Sequence, residues 1–99
     1  MCNNHSLIER FTIGKVLEGE LRTIYIDLHM NDNIYQVYMF DHENTFDLTP
    51  FEFSNYDIAI KALFIFADLA MQETVLLADT PIEFAERIHF KMKKIIQTS

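Results

Sequence analysis

From Leu21 to Phe40 apolar and polar side chains alternate across a central turn, a pattern that few folds accommodate. In LRTIYIDLHM the even positions Ile24, Ile26, Leu28 and Met30 are apolar. Asn31-Asp32-Asn33 is turn chemistry, and in IYQVYMF the residues Tyr35, Val37 and Met39 return on one face. A two-residue turn centred on Asp32 and Asn33 pairs Met30 with Tyr35, Leu28 with Val37 and Ile26 with Met39. The same turn one position earlier keeps that parity. A three-residue loop without a bulge would break it, because a slip of one residue moves every side chain of a strand to the other face.

The rest of the chain is read outward from this hairpin. Phe11 to Leu17 is a weaker strand that Glu18-Gly19 turns back, placing Phe11 beside Ile26 and Ile13 beside Ile24. Gly14 within it marks a weak point or a bulge. Residues 5–10 are expected as a short helical turn, and Thr45 to Leu48 as a candidate fourth strand. A helix is expected from an N-cap near Ser54 to about Gln72. The last helix opens on Thr80-Pro81-Ile82-Glu83, a capping box with Pro at the first helical position. Its predicted core stripe is Ala85, Ile88, Met92 and Ile95, and Glu83 and Arg87 are expected to pair at i, i+4. TPFEF (49–53) and TPIEF (80–84) look alike, and both read as helix starts. Segment 73–79 fits either more helix or a short extended piece. The expected fold is α+β: a three-stranded, or with 45–48 four-stranded, antiparallel meander followed by two helices packed on one sheet face.

One domain spanning residues 1–99 is expected, since a chain of 99 residues supports one core. The only cysteine, Cys2, allows no internal disulfide, and residues 1–5 do not resemble a signal peptide, so a cytoplasmic setting is expected. The most apolar stretch, Ile58 to Met71, is 14 residues long and includes Lys61 and Asp68. A membrane span needs about 20 apolar residues, so this is a core helix and no membrane is expected as a partner. The net charge of −7 argues against direct nucleic-acid binding, which calls for a basic footprint.

Catalytic constellations are hard to assemble. No serine sits in a nucleophile-type turn, and Asp27 and His29, two positions apart on a strand, are expected to project side by side rather than converge. The chain is therefore read as non-enzymatic. Gly14 and Gly19 are isolated, so no phosphate loop is formed and no cofactor is implied. Asp41 to Glu52 places oxygen side chains at calcium-loop spacing, but Phe46 occupies the position that demands Gly, and no metal is expected. Cys2 and His5 lack a second ligand pair.

Charge and apolar surplus are the informative features. Residues 23–60 contain no Lys or Arg and hold Asp27, Asp32, Asp41, Glu43, Asp47, Glu52 and Asp57, whereas Arg87, Lys91, Lys93 and Lys94 are half of all the cations. If the helices cover the face of Ile26, Leu28, Val37 and Met39, the other face carries Tyr25, Asp27, His29, Gln36, Tyr38 and Phe40. An aromatic patch edged with acids is a typical interaction surface. The leading expectation is a non-catalytic protein-interaction domain that meets a basic protein partner through Tyr25, Asp27, Tyr38, Phe40, Asp41, Glu43, Asp47, Glu52 and Asp57. Its sharper form is an inhibitor, immunity or anti-defence protein whose carboxylates mimic nucleic-acid phosphates. The first alternative is a structural subunit that homodimerises through its apolar helices, with Phe64, Ile65 and Phe90 exposed for self-association. The second is a small-molecule binder with a pocket around Tyr35, Phe51 and Phe53.

Overall fold

Glu18 and Gly19 both adopt positive φ, 54° and 78°, and so form the tight turn that joins β1 (His5–Leu17) to β2 (Glu20–Asn31). Asp32, at φ 58°, begins the turn into β3 (Ile34–Asp41). A short β4 (Phe51–Phe53) pairs with β3. The four strands form one antiparallel sheet in the order β1-β2-β3-β4. The structure is a computed structural model, and it describes residues 5–42 and 46–98.

The hairpin register matches the sequence pattern: Met30 faces Tyr35, Leu28 faces Val37 and Ile26 faces Met39. In the first hairpin Phe11 faces Ile26 and Ile13 faces Ile24, also as expected. Three expectations about the strands fail. Residues 5–10 continue β1 instead of forming a helical turn, and the irregularity lies between Leu7 and Glu9 rather than at Gly14. The fourth strand is Phe51–Phe53, so TPFEF opens a strand where TPIEF opens a helix. Phe51 and Phe53 point toward the helices, with Phe51 edge-on to Phe66 at 5.6 Å, while Glu52 points away. The candidate strand at 45–48 begins outside the described residues, and residues 46–48 carry no strand.

Helix α1 (Tyr56–Gln72) is capped by Asn55, not Ser54: the Asn55 side chain accepts a hydrogen bond from the Ile58 N–H at 3.1 Å. It buries Ala59, Ala62, Leu63, Phe66, Ala67 and Ala70, and the alanines let it lie close to its neighbours. Helix α2 (Pro81–Thr98) starts with the expected capping box. Thr80 Oγ1 accepts from the Glu83 N–H at 3.1 Å, and Glu83 accepts from the Thr80 N–H at 3.2 Å. Its buried stripe is Phe84, Ala85, Ile88 and Met92, while Ile95 is exposed and Ile96 takes the inner position.

Both helices lie on the sheet face made by Ile13, Leu17, Ile24, Ile26, Leu28, Val37 and Met39, and together they form the core. Lys15 of β1 donates to the Met71 and Glu73 carbonyls at the end of α1 (2.9 and 3.1 Å), and Phe51 of β4 stacks on His89 of α2 at 4.6 Å. The 73–79 segment is non-helical and is pinned by Arg87. The expected pairing of Arg87 with Glu83 gives way to a stronger set. Arg87 makes a two-pronged bond to Asp79 (2.9 and 2.8 Å) and also donates to Glu73 and to the Thr74 carbonyl. The other face of the sheet carries no helix among the described residues.

Candidate functional site

On that open face, alternation along β1, β2 and β3 brings Arg10, Tyr25, Asp27, His29, Tyr38 and Phe40 together, since Asp27 faces both Arg10 and Tyr38, and Tyr25 faces Phe40. Asp27 has no exposed surface, although no described helix covers it. Its cover is the cluster itself. Arg10 donates from Nε to Oδ1 at 2.8 Å and from Nη2 to Oδ2 at 2.9 Å, a fork-to-fork pair. His29 Nε2 lies 2.8 Å from Oδ2, and because a carboxylate only accepts, that nitrogen carries the proton. Asp27 and His29 therefore do converge, contrary to the sequence expectation. Burying a carboxylate is costly unless it is paired and hydrogen-bonded, and both conditions are met here.

Aromatic rings complete the arrangement. The Arg10 guanidinium sits over Tyr25 at 4.8 Å and Phe40 at 5.6 Å. His29 stacks on Tyr38 at 5.1 Å, and the Tyr25 hydroxyl lies 2.9 Å from His42 Nε2. The bond to Asp27 holds the Arg10 guanidinium above its ordinary pKa. Burial raises the Tyr38 hydroxyl, and the nearby Asp27 charge adds to this against an opposing effect of Arg10. The result is a preorganised patch that presents one cation and several half-buried rings. Its carboxylate is consumed in holding Arg10 and His29 and is closed off from solvent.

The sequence-predicted residues divide into three groups. Tyr25, Asp27, Tyr38 and Phe40 share this patch. Asp47, Glu52 and Asp57 are exposed; Glu52 joins the open face through a 2.8 Å bond from Gln36, and Asp57 stands in the first turn of α1. Asp41, opposite Ile24, belongs to the helix-covered face and is buried there, and Glu43 lies outside the described residues. The open face is thus aromatic with a cation at its centre, and Glu52 is the predicted acid that stands exposed on it, at β4. Arg10 and His42 were missed by sequence reasoning. Leu7, Ile8 and Phe11 mimic helical spacing around Arg10, and His42 is fixed only by the end of β3.

Phe64, Ile65 and Phe90 are all exposed, in three different settings. Phe64 is edge-on to Phe11 of β1 at 5.4 Å. Ile65 lines a shallow apolar groove with Phe53, Ile58 and Ile95. Phe90 lies on the outer side of α2 beside Leu76 and under Lys94, whose Nζ is 5.0 Å from the ring. Tyr35, Phe51 and Phe53 pack against the core, with Tyr35 edge-on to Tyr56 at 5.7 Å.

Among the described residues no cluster of three or more His, Cys, Asp or Glu is placed to hold a metal. The calcium-loop spacing runs through residues 43–45, outside the described residues, and its Phe46 is buried in the core. No described helix is long and apolar enough to cross a membrane. Comparison with protein-family models, curated proteins and solved structures finds no match for this chain.

Proposed function

We propose that this chain is a non-catalytic protein-interaction domain whose working surface is the open sheet face around Tyr25, Tyr38 and Phe40. One observation carries the reading: Arg10 is locked over Tyr25 and Phe40 by the fully buried Asp27. Tyr and Arg dominate binding hot spots, and side chains already fixed before binding lose little entropy when a partner arrives. A helix-free face with such a cluster suits the centre of an interface.

The partner is a basic protein. Glu52 lies on this face at β4 and Asp47 and Asp57 are exposed in the neighbouring sequence, an acidic margin, and residues 23–60 hold no cation to offset it. Such a margin steers a positively charged partner toward the aromatic centre. Occupation of a basic, nucleic-acid-binding cleft, in the manner of an inhibitor or immunity protein, is the sharper form of this proposal, and a cytoplasmic setting goes with it. Asp27 and Asp41 take no direct part, since both are buried.

Tagged protein exposed to extract from its host at low and high salt identifies the partner, whose affinity is then titrated calorimetrically. Tyr25→Ala is expected to weaken binding at least about tenfold, the size of a hot-spot loss. Changing Asp47, Glu52 and Asp57 to Asn, Gln and Asn is expected to flatten the salt dependence. Undiminished affinity of Tyr25→Ala would rule out the open face, and an unchanged salt slope in the triple variant would rule out the basic partner.

A further inference from the structure

Strand β1 is an edge: β2 pairs with one side of it, and no described strand pairs with the other. Leu17 and Glu20 close the two-residue turn, and antiparallel hydrogen bonding alternates in direction from there. The main-chain N–H and C=O of Arg10, Thr12, Gly14 and Val16 therefore point away from β2. We propose that this edge pairs antiparallel with the β1 edge of a second copy, about a two-fold axis at Thr12, and so joins two sheets into one.

Side-chain chemistry selects that register. With Thr12 opposite Thr12 of the second copy, Phe11 faces Ile13 and Glu9 faces Lys15, each twice by symmetry. An axis at Phe11 would set Glu9 against Ile13, and one at Ile13 would set Lys15 against Phe11 and Arg10 against Val16. Slips that change parity turn one copy's faces inside out. The irregularity between Leu7 and Glu9 ends regular pairing on one side, and the Thr12 axis keeps its outermost charged pair, Glu9 with Lys15, inside the regular stretch that runs on to Leu17.

Three local features fit the same contact. Lys15 gives two of its three N–H donors to the Met71 and Glu73 carbonyls, which fixes the ammonium on the helix side of the edge. Glu9, opposite Leu28, stands on that side too, and its carboxylate accepts the outward Arg10 N–H at 3.2 Å, a local bond that the pairing would exchange for one to the second copy. Gly14 has no side chain to hold off an incoming backbone and would lie opposite Arg10, whose side chain is already turned toward Asp27. Phe64 is 55% exposed and rests against Phe11, so the two-fold brings Phe11 and Phe64 of both copies into one apolar seam above the joined sheet. The axis leaves Tyr25, Tyr38 and Phe40 uncovered, and the pairing does not depend on the interaction proposed for that face.

Sedimentation equilibrium of the full chain is expected to give twice the mass of 11.7 kDa at micromolar concentration. Glu9→Lys, which sets like charges opposite each other, and Phe64→Glu, which charges the seam, are each expected to raise the dissociation constant about tenfold or more while the circular dichroism spectrum is kept. For the register, Thr12→Cys in a Cys2→Ser background should cross-link under mild oxidation, since facing antiparallel residues fall within disulfide reach, and Ser6→Cys should not. A wild-type monomer at high micromolar concentration overturns the proposal. So does a dimer indifferent to both surface variants, or one in which Ser6→Cys cross-links as fast as Thr12→Cys.

Discussion

Arg10 and Asp27 form a two-pronged ion pair across β1 and β2, 2.8 and 2.9 Å long, on a sheet face that no described helix covers. The carboxylate is fully buried while the Arg10 side chain is 40% exposed. Removing the cation alone strands a buried charge, whereas removing both members does not. Arg10→Met is expected to lower the urea midpoint, with solvent screening at the exposed guanidinium limiting the loss. The double variant Arg10→Met/Asp27→Leu is expected to be more stable than Arg10→Met alone. Urea denaturation of wild type, both single variants and the double variant closes the cycle; simple additivity would mean the two groups are not coupled.

Arg87 plays the corresponding part for the 73–79 segment, and it does so with a pH signature. Its hydrogen bonds, joined by one from the Leu76 N–H, lower the Asp79 carboxyl from 3.8 to about 2. Burial acts to raise Glu73, but bonds from Lys91 and Arg87 outweigh it and hold that group below its ordinary value. Arg87 itself is raised and stays charged throughout the acid range. Between the unfolded and folded values of the two acids, the unfolded chain binds more protons, so stability rises with pH there. Their contribution is complete above the ordinary carboxylate range and is lost as pH falls toward 2. Asp79→Asn is expected to lower the urea midpoint at neutral pH, and its gap from wild type is expected to narrow as the pH approaches 2. A gap that stays constant with pH would contradict the assignment.

The Glu18-Gly19 turn offers a pair of changes of opposite sign. Glu18 sits at φ 54°, where an ordinary L residue is strained, and Asn is the favoured residue at the first centre of such a turn. Glu18→Asn is expected to stabilise by about 0.5–1 kcal/mol. Gly19, at φ 78°, has open space around it, so Gly19→Ala meets no clash and loses only through backbone strain, by about 1 kcal/mol. Thermal denaturation followed by circular dichroism reads both.

These details also mark how far the sequence was legible. The register of β2 and β3 followed from parity alone, because Ile26, Leu28, Val37 and Met39 had to share the buried face. The first half of β1 did not: the irregularity between Leu7 and Glu9 interrupts the period of two, and Leu7, Ile8 and Phe11 then fall at helical spacing. TPFEF and TPIEF carry the same local chemistry, and only packing separates them. Phe51 meets Phe66 and His89, and Glu52 meets Gln36, which makes the first a strand. For the open face, Tyr25, Tyr38 and Phe40 were placed by alternation. That Asp27 is buried there depends on Arg10 arriving from β1, in a stretch whose apolar spacing reads as helical. Helical spacing pairs Arg87 with Glu83, whereas its partners lie in the non-helical segment, where spacing rules have no hold.

Phe84 and Phe90 test the amphipathic reading of α2 within a single helix. Phe84 is fully buried, flanked by Lys15 and Arg87 at 5.8 and 5.6 Å from its ring centre, while Phe90 is 58% exposed. Cutting Phe84 back to Ala removes a large ring from a packed interior and leaves a cavity, so a loss of about 3–5 kcal/mol is expected. Phe90→Ser gives up only a surface contact with Lys94, and a change within about 0.5 kcal/mol is expected. Because Phe90 lies outside the Thr12-centred contact, the variant should also keep the dimer mass in sedimentation. A Phe90→Ser protein that sediments as a monomer would move the self-association surface from β1 to α2, and equal losses at the two positions would show that the outer side of α2 is covered in solution.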